Sequence, residues 1–187
     1  STGSPSEEGT YRDADAVYKW LAARGVAPGR IVFYGESLGG AVAMESSLRH
    51  ACGGLVLDSA FTSTVEMGKR LFPMLPVSWF VRFRYDNRSK IPRVRVPVLV
   101  MHSIQDDIVP FDMGRALFDA APEPKTFFEM KGGHNDGFLE TGPAYGEAIR
   151  SFLASLGRPA SSAGAVRPLA GRRPWSSAER AGRKVRP

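Results

Sequence analysis

Residues 31–40 read IVFYGESLGG, and this stretch decides the fold. Its first four residues form an apolar run bounded by turn residues, which is typical of a strand buried on both faces. A helical pattern follows over residues 38–49. The string between them has the form G-x-S-x-G of a nucleophile elbow, a sharp strand-to-helix turn that exposes a serine. We expect Ser37 to be held in strained backbone, because Gly35 and Gly39 allow the turn without a Cβ clash.

The alternation of strand and helix continues along the chain, after small, polar, turn-forming residues at positions 1–10. Apolar residues at helical spacing predict three further helices, at residues 11–24, 112–120 and 144–156. Short apolar runs predict three further strands, at residues 54–57, 96–101 and 126–130. This order indicates parallel strands joined by right-handed crossovers, so the sequence predicts an α/β fold: a mostly parallel sheet with helices on both faces.

Two segments interrupt the alternation. Residues 68–95 form an apolar, proline-containing insertion, which we expect to fold into short helices over the sheet edge. Residues 157–187 consist mainly of Gly, Pro, Ala, Ser and Arg and are predicted to be a disordered tail. The predicted domain therefore spans residues 1–156.

The net charge of +6 is concentrated in the tail, which holds eight of the 25 Lys and Arg residues but one of the 19 acidic ones. The predicted domain is close to neutral, which excludes a basic groove across the fold and any specific nucleic-acid site there. We interpret the tail as a solvated extension, with binding to nucleic acid or an anionic membrane as the alternative.

Cysteine content and hydropathy restrict the class of protein further. Cys52 has no second cysteine with which to form a disulfide or a cysteine-based metal site. The sequence contains neither an apolar run of about 20 residues nor the pattern of a signal peptide. These features predict a cytoplasmic protein without a transmembrane segment, metal or cofactor.

A serine nucleophile needs a base, and the chain has three histidines. His134 lies in the flexible string GGHND after the last predicted strand and is the predicted base. His102 ends the preceding strand; we expect its ring to support the next turn, with a role as the base as the alternative. His50 is predicted to be a residue of the helix C-terminus, about 20 Å from Ser37.

The base in turn needs a carboxylate, which should follow a strand and lie between the serine and the histidine in chain order. Asp106 is the predicted acid, and Asp107 and Asp58 are the alternatives. The backbone N–H of Leu38 is the predicted oxyanion donor, because it lies at a helix N-terminus. An acyl pocket is predicted from apolar side chains of the insertion, with plain core packing as the alternative. Those side chains are Phe72, Leu75, Trp79 and Phe80.

These motifs resemble the α/β-hydrolase superfamily over roughly residues 1–156. The strings YRDA (11–14), LDSAFTS (57–63) and GHND (133–136) resemble its bud-emergence-like subgroup, which includes relatives of protein depalmitoylases. Ser103 stands where a typical member has Gly. The resemblance implies a serine hydrolase of ester or thioester bonds in small-molecule or lipid-like substrates, with serine peptidase activity as an alternative.

The resemblance also implies that N-terminal strands of the domain are absent from this chain. Members of the superfamily carry about four strands before this point, and the first precedes a His-Gly loop that supplies a second oxyanion donor. Loss of one such donor typically lowers the rate about 100- to 1,000-fold. A second expectation is therefore a catalytically impaired hydrolase fragment that acts as a structural or interaction module.

Overall fold

A computed structural model describes residues 4–156, except for the side chain of Phe80. The helices are α1 (Glu7–Ala23), α2 (Leu38–Arg49), α3 (Thr64–Leu71), α4 (Val77–Phe80), α5 (Asn87–Lys90), α6 (Phe111–Ala120), α7 (Gly137–Thr141) and α8 (Pro143–Ser155). The strands are β1 (Val32–Glu36), β2 (Gly54–Asp58), β3 (Val98–Ser103) and β4 (Lys125–Met130). Two short 3₁₀ helices cover Pro28–Arg30 and Ile91–Arg93. The predicted tail lies outside the described residues.

The four strands form one parallel sheet in the order β1-β2-β3-β4. Every residue of β2 and β3 is buried, as expected for central parallel strands covered on both faces. Parallel pairing brings the carboxyl ends of all four strands to one edge of the sheet. The residues that follow each strand therefore lie side by side at that edge.

Alternate residues of the central strands pack against helices on opposite faces of the sheet. Leu57 and Val98 share a core with Met44 of α2 and Leu117 of α6. On the other face, Val56, Leu99 and Met101 pack with Phe152 of α8. The predicted α/β fold with helices on both faces is confirmed. In the described residues, no helix is long and apolar enough to span a membrane.

The first helix begins earlier than the apolar spacing predicts. It starts at Glu7 rather than near Tyr11, because the hydroxyl of Ser6 accepts a hydrogen bond from the backbone N–H of Gly9 at 2.9 Å. Glu7 and Glu8 in the first turn complement the positive end of the helix dipole. The prediction of turn structure for these residues was wrong, because capping extends the helix beyond its apolar stripe.

The insertion divides into two parts that differ in burial. Its short helices are those expected from its prolines, since α3 ends before Pro73 and α4 begins after Pro76. Its second half is core structure rather than a cover over the sheet edge: Ile91 and Val94 are fully buried against the sheet. The side-chain amide of Asn87 anchors this part by donating to the carbonyl of Phe61 at 2.9 Å.

Candidate active site

Ser37 lies between the end of β1 and the start of α2 with φ 52° and ψ −118°. A positive φ is uncommon for a residue with a Cβ and indicates backbone strain held in place by the surrounding structure. The backbone N–H of Ser37 donates to the carbonyl of Asp58 at the end of β2 at 2.9 Å, which fixes the turn to the neighbouring strand. This is the strand-turn-helix geometry predicted for a nucleophile elbow.

The glycines around the turn differ in how much space a Cβ would have. A Cβ on Gly35 would lie 2.1 Å from the carbonyl oxygen of Gly39, so the backbone crossing requires glycine there. A Cβ on Gly39 would meet nothing within 4 Å, whereas one on Gly40 would lie 2.8 Å from Cβ of Ala60. The expectation that Gly39 relieves a clash was wrong, because the close contact falls one residue later.

Leu38 is the first residue of α2, so its backbone N–H has no acceptor within the helix. The positive end of the helix dipole also lies at this point. An N–H group in this position, next to the strained serine, is suited to hydrogen-bond a developing oxyanion.

Asp106 follows β3 and is held from two directions. Its Oδ1 accepts hydrogen bonds from the backbone N–H groups of Ile108 at 3.0 Å and Val109 at 2.7 Å. Its Oδ2 lies 2.9 Å from Nδ1 of His134, and the Asp106 side chain is inaccessible to solvent. The carboxylate is therefore fixed in orientation before it contacts the histidine.

His134 lies in the turn after β4, and its side chain is almost fully buried. Because a carboxylate only accepts, Nδ1 carries the proton in this pair and Nε2 is left free to accept one. Among the described residues no hydrogen bond joins Nε2 to the hydroxyl of Ser37. Such bonds are often long in a free enzyme and shorten when substrate is bound.

The turn after β3 makes further contacts with the histidine turn that the sequence did not reveal. Asp107 Oδ1 accepts the backbone N–H of His134 at 3.0 Å, and this bond lowers the pKa of the Asp107 carboxyl. The hydroxyl of Ser103 donates to the carbonyl of Gly132, whose own N–H donates to Oε1 of Gln105 at 2.9 Å. Two turns that are nearly 30 residues apart in sequence are thus joined by their polar groups.

The other two histidines have structural partners instead. The fully buried His102 donates from Nε2 to the carbonyl of Val109 at 2.9 Å, and burial lowers the pKa of its ring. It therefore supports the turn after β3, as its position predicts. His50 ends α2, where Nε2 lies 2.7 Å from Asp15 Oδ1 and the ring stacks on Tyr18.

Asp58, one of the alternative acids, is buried among hydroxyl groups. Its Oδ2 accepts hydrogen bonds from the phenols of Tyr34 at 2.9 Å and Tyr145 at 2.7 Å, and its Oδ1 accepts from Ser59. Burial, together with this carboxylate, raises the pKa of Tyr145 to about 12. Burial and the hydrogen bond with Tyr145 also raise the pKa of Tyr34. Ser59 also has a positive φ, of 47°, but it is buried and closed to a substrate.

An apolar cavity of about 400 Å³ borders Leu38. Its walls come from α1, from the start of α3 and from the end of the insertion, where Val81, Phe83 and Tyr85 contribute. The predicted pocket residues are elsewhere: Phe72, Leu75 and Trp79 are exposed and do not line this cavity. The side chain of Phe80 lies outside the described part of the chain.

No protein-family model matches the chain. An uncharacterized protein of Mycobacterium tuberculosis is 42% identical over 153 residues, which are 81% of this chain and 54% of that protein. Alpha/beta hydrolase domain-containing protein 17B of Xenopus laevis is 31% identical over 158 residues, covering 82% and 52%. Alpha/beta hydrolase domain-containing protein aho-3 of Caenorhabditis elegans is 32% identical over 155 residues, covering 82% and 45%. The chain thus spans about half the length of these relatives.

Solved structures share the fold at lower identity. A monoacylglycerol lipase of Paleococcus ferrophilus superposes with a TM-score of 0.56 at 21% identity, covering 81% of this chain and 75% of the lipase. A serine hydrolase involved in carbazole degradation gives a TM-score of 0.59 at 19% identity, covering 82% and 74%. The parallel sheet, the elbow after β1 and the similarity to curated alpha/beta hydrolase domain-containing proteins agree with one another, and the described residues have the α/β-hydrolase fold.

Proposed function

We propose that the protein is a serine hydrolase that cleaves carboxylic ester or thioester bonds through an acyl-enzyme on Ser37. The observation that carries the proposal is the 2.9 Å contact between His134 Nδ1 and Asp106 Oδ2 at the sheet edge where Ser37 begins a helix. A strained serine, a buried histidine and a fixed carboxylate that follow three strands of one sheet are the parts that acyl transfer requires.

Each group has one part in the proposed reaction. The hydroxyl oxygen of Ser37 attacks the acyl carbonyl carbon while Nε2 of His134 takes its proton, and Asp106 stabilises the imidazolium that forms. The N–H of Leu38 hydrogen-bonds the oxyanion. The intermediate collapses when His134 protonates the leaving alcohol or thiol. A water molecule, deprotonated by the same nitrogen, then attacks the acyl-enzyme and releases the carboxylic acid and the free serine.

The cavity beside Leu38 supports an apolar acyl group rather than a charged one. Its walls are mainly carbon, although Arg82 also lines it, and about 400 Å³ falls within the usual range for small-molecule sites. Substitution of Val81 by Trp fills part of this volume. We expect this variant to lose activity on longer p-nitrophenyl acyl esters and to retain it on the acetate.

Fluorophosphonate labelling tests the nucleophile directly. Ser37→Ala is expected to abolish both labelling and p-nitrophenyl ester turnover. Ser59→Ala, at the other serine of positive φ among the described residues, is expected to retain labelling. Labelling that persists in Ser37→Ala contradicts the proposal. Turnover of amide substrates at a rate comparable with esters would favour the peptidase alternative.

A second candidate function, an impaired hydrolase that serves as a structural module, rests on the outer edge of β1. In the described residues β1 pairs with β2 alone, and the residues that match this chain make up about half of each curated relative. The test compares labelling of the 187-residue chain with that of a chain fused to the preceding segment of a relative. Labelling of the fusion alone favours the impaired module, and equal labelling favours an active serine hydrolase.

A further inference from the structure

Residues 65–83 form an excursion whose two ends meet at one place, and within it Met67 and Phe83 pack on the domain and Arg70 contacts Asp112. The backbone N–H of Thr64 donates to the carbonyl of Arg84 at 3.1 Å, which closes the base of this excursion. The N–H of Arg84 donates in turn to Oε2 of Glu7 on α1 at 2.8 Å. The ends of the excursion are therefore fixed to the domain, while α3 and α4 lie between them.

The excursion presents a group of large apolar side chains to solvent. Their exposed fractions are 64% for Leu71, 55% for Phe72, 92% for Met74, 57% for Leu75 and 84% for Trp79. Single exposed apolar residues are ordinary on protein surfaces, but five within nine consecutive positions form a patch. We call these five residues the apolar tip.

The cations that flank the apolar tip outnumber the acidic residues near them, which are Glu66, Asp86 and Asp112. Residues 67–85 contain four cations and no acidic residue. Lys69 and Arg70 precede the tip, and Arg82 and Arg84 follow it. The carboxylate of Asp112 on α6 contacts Arg70, and no ion pair in the described part of the chain involves the other three.

We propose that the apolar tip and its flanking cations dock on an anionic lipid surface. Tryptophan and other amphipathic side chains favour the membrane interface, and each Lys or Arg close to an anionic leaflet strengthens binding. Cations on both sides of the tip, without acidic residues between them, match a surface that is negative throughout. Because Val81 and Phe83 line the cavity beside Leu38, docking would bring that cavity close to the lipid.

Tryptophan fluorescence tests this contact at the tip itself. The chain has three tryptophans, at positions 20, 79 and 175. The full chain carrying Trp20→Phe and Trp175→Phe keeps Trp79 as its only reporter. With vesicles of phosphatidylcholine and phosphatidylserine, its emission maximum is expected to shift to shorter wavelength and a brominated lipid is expected to quench it. With phosphatidylcholine alone, the shift is expected to be smaller.

Matched variants separate the tip from other parts of the chain. Trp79→Phe with Trp175→Phe leaves Trp20 on α1 as the reporter, and its emission is expected to stay unchanged. Lys69→Gln with Arg82→Gln is expected to weaken vesicle partitioning by roughly fivefold per charge removed. Arg12→Gln with Arg150→Gln removes two exposed cations elsewhere and is expected to have a much smaller effect.

Every variant retains the basic residues 157–187, so any contribution of that segment is constant. Two results would overturn the proposal. One is sedimentation with anionic vesicles while the Trp79 spectrum stays unchanged, which would assign binding to another part of the chain. The other is a Trp79 shift without vesicles that grows with protein concentration, which would mean that a second copy of the chain covers the tip. Ser37→Ala is expected to bind vesicles normally, so this test is independent of the proposed chemistry.

Discussion

The backbone N–H of His134 donates to Asp107 Oδ1 at 3.0 Å, while the neighbouring Asp106 contacts the ring of the same histidine at 2.9 Å. Two consecutive carboxylates therefore hold the main chain and the side chain of one residue. Because both carboxylates belong to the turn after β3, the position of His134 depends on that turn as much as on the turn after β4 in which His134 lies.

Asparagine substitutions at the three candidate carboxylates will distinguish their roles. In Asp106→Asn, the amide oxygen can still accept the N–H groups of Ile108 and Val109, but the NH₂ group then faces His134 Nδ1. The histidine proton then moves to Nε2, and Nε2 can no longer accept the proton of the Ser37 hydroxyl. We expect kcat for p-nitrophenyl ester hydrolysis to fall by about 10⁴-fold.

The comparison variants are Asp58→Asn and Asp107→Asn, which are expected to retain most of this activity. The carboxylate of Asp58 contacts tyrosines and a serine rather than a histidine. A loss in Asp58→Asn as large as that in Asp106→Asn, with the fold intact by circular dichroism, would reverse the assignment.

Removal of the second carboxylate tests whether it positions the histidine. Asp107→Ala deletes the acceptor for the His134 N–H, and the turn is then free to shift. We expect kcat to fall by about 10- to 100-fold with little change in KM, because small displacements of a catalytic group are costly. Asp107→Asn keeps an acceptor oxygen and should restore the rate. If alanine and asparagine behave alike, the hydrogen bond has no positioning role.

Gly114 on α6 is the point where that helix packs on the buried ring of His102. A Cβ at position 114 would lie 2.2 Å from Nδ1 of His102, and the ring is fully buried. We expect Gly114→Ala to lower the free energy of unfolding by about 1–3 kcal/mol, as overpacking usually does. Urea denaturation followed by circular dichroism measures the change.

The matched control is Gly146→Ala on α8, where a Cβ would meet only the end of the Arg150 side chain at 3.5 Å. Here the higher helix propensity of alanine should stabilise the domain by up to about 1 kcal/mol. Equal effects at positions 114 and 146 would show that α6 does not pack as closely on His102 as the structure indicates.

Burial of His102 should make the domain sensitive to acid. Its pKa in the folded state is lowered below the ordinary value of 6.5, mainly by desolvation. The hydrogen bond to the Val109 carbonyl and the nearby carboxylate of Asp106 act in the opposite direction. The unfolded chain therefore binds the proton more readily. The contribution of His102 to stability is complete above about pH 6.5 and is lost as the pH falls below that value.

We expect the free energy of unfolding to fall between about pH 7 and pH 5, and to fall less in His102→Asn, whose side chain does not titrate in this range. Urea denaturation across this pH interval gives both curves. Parallel curves for the two proteins would indicate that other groups cause the acid sensitivity.

Local pattern was sufficient for most of the fold. The bounds of α2 agree with the predicted residues 38–49, and the four strands lie within one or two residues of their apolar runs. Helical and strand periodicities are properties of consecutive residues, so they are visible in the sequence. The start of α1 was not visible in the apolar pattern, because the hydroxyl of Ser6 caps a helix that begins at Glu7, before that pattern.

The pocket was harder to predict because it depends on which side of a segment faces the domain. Apolar composition indicated an acyl pocket from the insertion around Phe72 to Phe83, yet the side chains of Phe72, Leu75 and Trp79 are exposed. The cavity beside Leu38 uses only the end of that segment, Val81 and Phe83, together with Thr10 from α1. Nothing in the local pattern distinguishes an apolar residue at an exposed tip from one that lines a cavity.

The sequence by itself determined the alternation of strands and helices, the elbow at Ser37 and the set of candidate acids and bases, since these depend on residue type and short-range spacing. The tertiary structure decided which candidates meet. Asp106, rather than Asp58 or Asp107, contacts the ring of His134, because parallel pairing brings the turns after β3 and β4 together. The carboxylate of Asp58 instead accepts hydrogen bonds from Tyr34 and Tyr145. Hydrogen bonds between groups nearly 30 residues apart form only when the sheet has placed them side by side.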